Sequence, residues 1–192
     1  MLDHYPGIRV PGTFDAFELA IRAILGQQVS VAGATTLTAR LVQRFGDACV
    51  SPFAEITHHF PLAERLAGLT VEELATIGLP KTRAATIRGF AQFSAAGHLQ
   101  MPPGTSLESA VAHMKMVAGI GDWTAHYICL RALRFPDAFP AGDMGLQKAA
   151  AVVISSVSTT HSTRLTEKQL AAMAQSWSPW RGYAALLLWY SL

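Results

Sequence analysis

The sequence is poor in charge. Asp, Glu, Lys and Arg make up 15% of its 192 residues, against 51% for hydrophobic types. Intrinsic disorder needs the opposite balance, so a folded core is expected. Cysteine is almost absent, and Cys49 and Cys129 stand 80 positions apart. Two thiols cannot build a four-thiolate zinc site or an iron–sulfur cluster. The opening Met1-Leu-Asp-His-Tyr-Pro-Gly lacks a basic region followed by an apolar run, so reduced thiols are expected rather than a disulfide. No window approaches the roughly 20 uninterrupted apolar residues of a membrane helix. Glycine and proline, at 15 and 10 residues, are too few for a collagen-like or linker chain. There is no internal repeat. Strand signals are nearly missing too. The one β-branched stretch, Val152 to Thr160, reads as irregular or as a helix end. A net charge of +2 is weak evidence for a nucleic-acid partner by itself.

What is present is helical patterning from end to end. Pro11-Gly12-Thr13 reads as a turn with Thr13 as N-cap. Phe14, Phe17, Ile21, Ile24 and Leu25 then recur at helical spacing. Ser30 is placed to cap a second helix that stops at Gly46. Three capping boxes are predicted: Thr70 with Glu73, Thr105 with Glu108, and Thr166 with Gln169. Leu69 with Leu74, and Leu165 with Leu170, supply hydrophobic staples. Ser178-Pro179 reads as an N-cap with proline in the first helical position, ahead of a helix reaching Trp189.

The most informative segment is Val117-Ala-Gly119-Ile120-Gly121-Asp122-Trp123-Thr-Ala125. A helix over about 106–117 leads into Gly-Ile-Gly, and a second is expected over about 122–134. Two glycines one residue apart let the backbone turn tightly and approach something closely. The turn N–H groups and the next helix N-terminus form a site for an anion such as a DNA phosphate. A plain helix–helix turn would use the same residues.

Gly119-Ile120-Gly121 with Thr124-Ala125 resembles the helix-hairpin-helix of the DNA glycosylase superfamily. The resemblance extends to Arg22-Ala-Ile-Leu-Gly26-Gln27-Gln28-Val-Ser30, Leu79-Pro-Lys81-Thr-Arg83-Ala84, Phe139-Pro-Ala-Gly142-Asp143-Met-Gly-Leu146 and Trp177-Ser-Pro-Trp-Arg181-Gly-Tyr-Ala184. Together these look like the DNA-3-methyladenine glycosylase II type, over about residues 5–190. The fold it implies is all-α and two-lobed, with the active-site cleft between the lobes and the hairpin at about 106–134. Family members usually carry a β-rich domain ahead of the helical part. This chain is expected to be the helical glycosylase domain over residues 1–192, with that β-rich domain absent.

The resemblance also assigns roles. Asp143 matches the catalytic aspartate. Trp123, Tyr127 and Trp189 match aromatic residues of the base pocket. Gly119, Ile120 and Gly121 match the phosphate-binding hairpin. Gln27 and Gln28 match the minor-groove wedge, with Gln28 where one form of the family has leucine. Main-chain carbonyls of Lys115, Val117 and Ile120 match the place where family hairpins hold a monovalent cation, Na+ or K+. No other cofactor is required. Relatives that also cut the strand carry a lysine at the position of Trp123, so a monofunctional enzyme is implied. It would hydrolyse the N-glycosidic bond of flipped, alkylated purines and leave an abasic site. The implied partner is double-stranded DNA containing alkylated bases. The implied setting is cytoplasmic and DNA-associated, away from membranes, for a monomer.

Each of these residues has a plainer use. Asp143 after Gly142 can serve as an N-cap only, and the three aromatics can be core. Lys81, Arg83 and Arg88 can meet phosphate or line a solvated face. His58-His59 reads as a loop pair. His126 is a candidate pocket residue or a surface one. Asp122 and Asp137 are the nearest carboxylates in sequence to Asp143. The alternative function is a non-catalytic helix-hairpin-helix DNA-binding module, and beyond that a helical interaction domain. A pure binder needs neither the carboxylate nor the pocket.

Overall fold

A computed structural model describes residues 7–155 and 164–191. Among these the only regular elements are helices, and β-structure is confined to one isolated bridge between Ala48 and His58. The helices are α1 (Ala16–Leu25), α2 (Val31–Phe45), α3 (Ala63–Ala67), α4 (Val71–Ala75), α5 (Lys81–Ala95), α6 (Leu107–Met114), α7 (Asp122–Arg131), α8 (Met144–Ser155), α9 (Glu167–Ala174) and α10 (Arg181–Tyr190). None of them is long and apolar enough to cross a membrane.

The chain divides into two compact units. One comprises Asp15–Thr105 and Ala112–Ile120; the other comprises Met1–Phe14, Ser106–Val111 and Gly121–Leu192. In the first, α5 is the hub, with α1, α3 and α4 packed against it. Its core centres on Phe90. Phe17 stacks on Phe90 with ring centroids 6.3 Å apart and meets Phe60 edge-on. In the second, α8, α9 and α10 share a core of Phe139, Leu146, Leu170, Ala185 and Leu188. Alanines at 149, 150 and 174 complete that core. Small side chains let the helices pack closely.

Capping explains most helix starts. Ser30 accepts from Gly33 N at 3.1 Å. The Thr70 and Thr166 boxes form with both reciprocal bonds. Leu69 and Leu74 are buried, while Leu170 lies in the core with Leu165 packed beside it. Three predicted starts shift. Asp15, not Thr13, caps α1, because its carboxylate accepts from Glu18 N at 2.6 Å; Phe14 therefore lies outside the helix and fully exposed. Ser106 replaces Thr105 before α6 by accepting from Ser109 N at 3.1 Å, while the Thr105 hydroxyl donates to Pro102 O. The last helix begins at Arg181 rather than Pro179, because the Ser178 hydroxyl donates to Asp137 instead of capping. Helix α8 runs through Val152 to Ser155; the rest of the β-branched stretch lies outside the described residues.

Candidate active site

The hairpin turn is built by steric necessity at one glycine and by none at the other. Gly119 has φ +90°, in the left-handed region. A Cβ there would fall on Thr86 Oγ1 and within 3.0 Å of Thr86 Cβ. Gly121 is extended, and a Cβ on it would point into open space. The turn closes with Ile120 N donating to Val117 O at 3.0 Å. Gly121, the residue before α7, has no side chain to cap that helix.

The other predicted contact loop is tied to this turn. Gln27 Nε2 donates to Gly119 O at 3.1 Å, and Arg83 Nη2 donates to Gln27 O at 2.6 Å. Gln28 holds φ +53°, unusual for a glutamine. The two predicted wedge residues therefore differ: the Gln27 side chain bonds the hairpin, while Gln28 is exposed at a left-handed turn position. Of the nearby cations, Lys81 pairs with Glu72 at 3.3 Å and Arg83 braces the Gln27 loop. Among the described residues Arg88 Nε is buried without a hydrogen-bond partner.

Three predicted aromatic residues, Trp123, Tyr127 and Trp189, come together around Asp143 at the start of α8. Its Oδ1 accepts from Leu146 N at 2.9 Å and from Trp189 Nε1 at 3.1 Å. Its Oδ2 accepts from Trp123 Nε1 at 3.1 Å. The cap and the carboxylate site are thus the same group. Trp123 stacks on Tyr127 with centroids 5.4 Å apart and planes 13° from parallel; Trp189 meets Tyr127 edge-on at 6.4 Å. A third ring between Trp123 and Tyr127 would need planes about 7 Å apart, twice a carbon–carbon contact. A flat guest can therefore use the outer aromatic faces, not a slot between these two rings.

The surrounding residues hold this group in place. Arg131, one turn after Tyr127, lies 5.8 Å from the Tyr127 ring centre and donates through Nε to Pro11 O at 2.8 Å. His126 accepts from Phe139 N through Nδ1 at 3.2 Å, which joins α7 to the loop before Asp143. That bond gives His126 a structural use. Asp137, the nearest other acid on that loop, is committed elsewhere. Arg181 binds it through Nε and Nη2 at 2.8 and 2.6 Å, and Ser178 adds a third side-chain bond at 2.9 Å. Burial alone would raise the Asp137 carboxyl; the bonds from Arg181 and Ser178 outweigh it and hold the group below its ordinary range.

Arg131 and the Asp137–Arg181 pair were not singled out in the sequence. The spacing of Tyr127 and Arg131, one helical turn, was a signal for the first. Nothing in the sequence marked the second. Both thiols are free, and burial pushes Cys129 up to about 12. No group of three or more His, Cys, Asp or Glu side chains among the described residues is arranged to hold a metal ion. The His58 ring nitrogen Nδ1 lies 2.9 Å from the Thr57 hydroxyl.

Known proteins share this arrangement of elements. DNA-3-methyladenine glycosylase 2 of Escherichia coli K12 is 37% identical over 186 residues, covering 97% of this chain and 61% of that protein. The DNA-3-methyladenine glycosylase of Bacillus subtilis 168 is 32% identical, over 95% of this chain and 59% of its own length. The chain thus spans about three fifths of these relatives. Among solved structures, the 3-methyladenine DNA glycosylase from Archaeoglobus fulgidus superposes with a TM-score of 0.78 at 24% identity, over 98% of this chain and 62% of that one. The model of the HhH-GPD superfamily base excision DNA repair proteins matches residues 21–176, most of the chain, and the chain belongs to that family.

Proposed function

We propose that this chain is the helical catalytic part of a DNA-3-methyladenine-type glycosylase that releases alkylated purines from duplex DNA. The observation that carries the reading is the carboxylate of Asp143 held among Trp123, Tyr127 and Trp189. A DNA-binding module has no use for that constellation.

A base inside the duplex must first be rotated out of the stack. Alkylation at a ring nitrogen gives a purine positive charge, and aromatic faces attract a cation by about 0.5–2 kcal/mol each. The same charge makes the base a good leaving group. As the glycosidic bond breaks, its electron pair leaves with the base and positive charge develops on the sugar. The Asp143 carboxylate stabilises that charge and orients the water that adds to the anomeric carbon. The water's proton is lost to solvent, and an abasic site remains. Trp123 has no amine for a Schiff base, so strand scission by elimination is not part of this reading.

The hairpin takes the phosphates. Gly121 leaves open space where a backbone can approach the N-terminus of α7. Gln28 fills the gap left by the extruded base. The carbonyls of Lys115, Val117 and Ile120 are neutral oxygen donors of the kind that suits Na+ or K+. Val117 O accepts from Ile120 N and has a second lone pair to give. A cation there would offset phosphate charge, and no bond-making step involves it. The protein acts as a monomer in this reading, on DNA in the cytoplasm.

The test is base release from a duplex carrying methylated purines, with strand breaks scored before and after hot alkali. Release with breaks only after alkali supports a monofunctional glycosylase. Breaks without alkali would overturn the role given to position 123. Binding without release would favour the DNA-binding module.

A further inference from the structure

We infer that Trp123 and Trp189 are positioning residues for Asp143 through their indole N–H groups, a role separate from any stacking on the base. A carboxylate offers four lone-pair positions, and an indole nitrogen donates one bond and accepts none. Among the described residues Oδ1 has both positions filled, by Leu146 N and Trp189 Nε1. Oδ2 has one filled, by Trp123 Nε1. One acceptor position therefore remains, and it belongs to Oδ2. The carboxyl torsion of an aspartate is soft, and a helix cap alone fixes one oxygen only. Trp123 fixes the second oxygen, so the plane of the group is set. The two donors come from different helices, α7 and α10, and neither substitutes for the other.

This inference rests on the reading of Asp143 as the group that meets the sugar's charge. It adds that Oδ2 is the oxygen that does so. Charge stabilisation depends steeply on where the carboxylate sits, and a displacement of about 1 Å can cost on the order of 100-fold.

The experiment separates the N–H from the ring. Trp189→Phe and Trp123→Phe keep an aromatic ring and remove the donor. Trp189→His and Trp123→His return a ring N–H near the indole nitrogen and remove the larger face. Single-turnover release from the methylated duplex is expected to fall about 10- to 100-fold in the Phe variants and to recover in part in the His variants. Binding to a duplex carrying a neutral tetrahydrofuran abasic site is expected to stay within about twofold, as it does not engage the carboxylate's charge. A His variant as slow as its Phe counterpart, or slower, would overturn the proposal in favour of stacking alone.

A second measurement is independent of activity. The chain has four tryptophans, and hence four indole 1H–15N signals. Asp143→Asn should move those of Trp123 and Trp189 and leave those of Trp177 and Trp180 in place. Unmoved signals would overturn the proposal even in an active enzyme. Moved signals in a wild-type protein that releases no base would support the positioning role while removing the proposed function.

Discussion

Replacing Gly119 by alanine is the sharpest perturbation of the hairpin. The new Cβ meets two obstacles. The backbone sits at φ +90°, which costs an L-residue about 1–2 kcal/mol. The methyl also falls on Thr86 Oγ1 and within 3.0 Å of Thr86 Cβ and Cγ2, and such overpacking costs about 1–3 kcal/mol. Alanine restricts the unfolded chain, which returns about 0.4–1 kcal/mol. The net loss is about 1–4.6 kcal/mol, or roughly 2–18 °C in melting temperature for a chain of this size. Adding Thr86→Ala removes Oγ1 and Cγ2 but not Cβ, so the double variant should recover part of the packing term and none of the backbone term. Gly121→Ala is the internal control. That residue is extended and its Cβ would touch nothing, so stability should change by no more than about 0.5 kcal/mol. Its binding to duplex DNA should weaken about tenfold, or about 1.4 kcal/mol, if the backbone there meets phosphate. Thermal melts of the four proteins decide the matter. A Gly119→Ala protein that melts with the wild type, or a Gly121→Ala protein that melts with Gly119→Ala, would refute the reasoning.

Asp143→Asn should retain duplex binding and lose most base release, measured in single turnover. Its amide NH2 would face one indole donor, which should also cost about 1–3 kcal/mol in denaturant unfolding. Asp137 is depressed in the folded state. Its contribution is therefore present above the unfolded value near 4 and lost as pH falls through the folded value. Arg181→Met should cost about 1–3 kcal/mol at neutral pH and flatten the loss of stability as pH falls below about 4, read by urea titration over the acid range. A thiol reagent at pH 8 should label Cys49 in the native protein and reach Cys129 only after unfolding, because Cys129 is buried and its thiol stays protonated. Mass spectrometry of native and denatured samples distinguishes the two.

Much of the fold was legible because helix ends are local chemistry. Thr70 and Thr166 carry both halves of a capping box within four residues, and both boxes form. The failures were also local, but they were competitions. Thr13 and Thr105 each had a neighbour, Asp15 and Ser106, able to make the same bond one or two residues later. Ser178 failed for another reason, since its hydroxyl is drawn to Asp137, which is remote in sequence. The candidate site shows the same division. Trp123 and Tyr127 share a helix face, so their stacking follows from spacing. That Trp189 would reach the same carboxylate depends on how α10 packs against α8, which no local pattern encodes. Arg181 with Asp137, and His126 with Phe139 N, escaped for that reason too.

The bond from Gln27 Nε2 to Gly119 O has a consequence for recognition. It joins the Gln27–Gln28 loop to the hairpin turn, and Arg83 holds the same loop through Gln27 O. The spacing between loop and turn is therefore set before any partner arrives. A partner that touches both finds them already ordered, and little conformational entropy is lost when it docks. The linkage also works in reverse. A partner whose two contact points are spaced differently would have to break a hydrogen bond to be accommodated. In the function proposed above, the loop pair would gauge the geometry of the DNA it meets, with Gln27 as the fixed jaw.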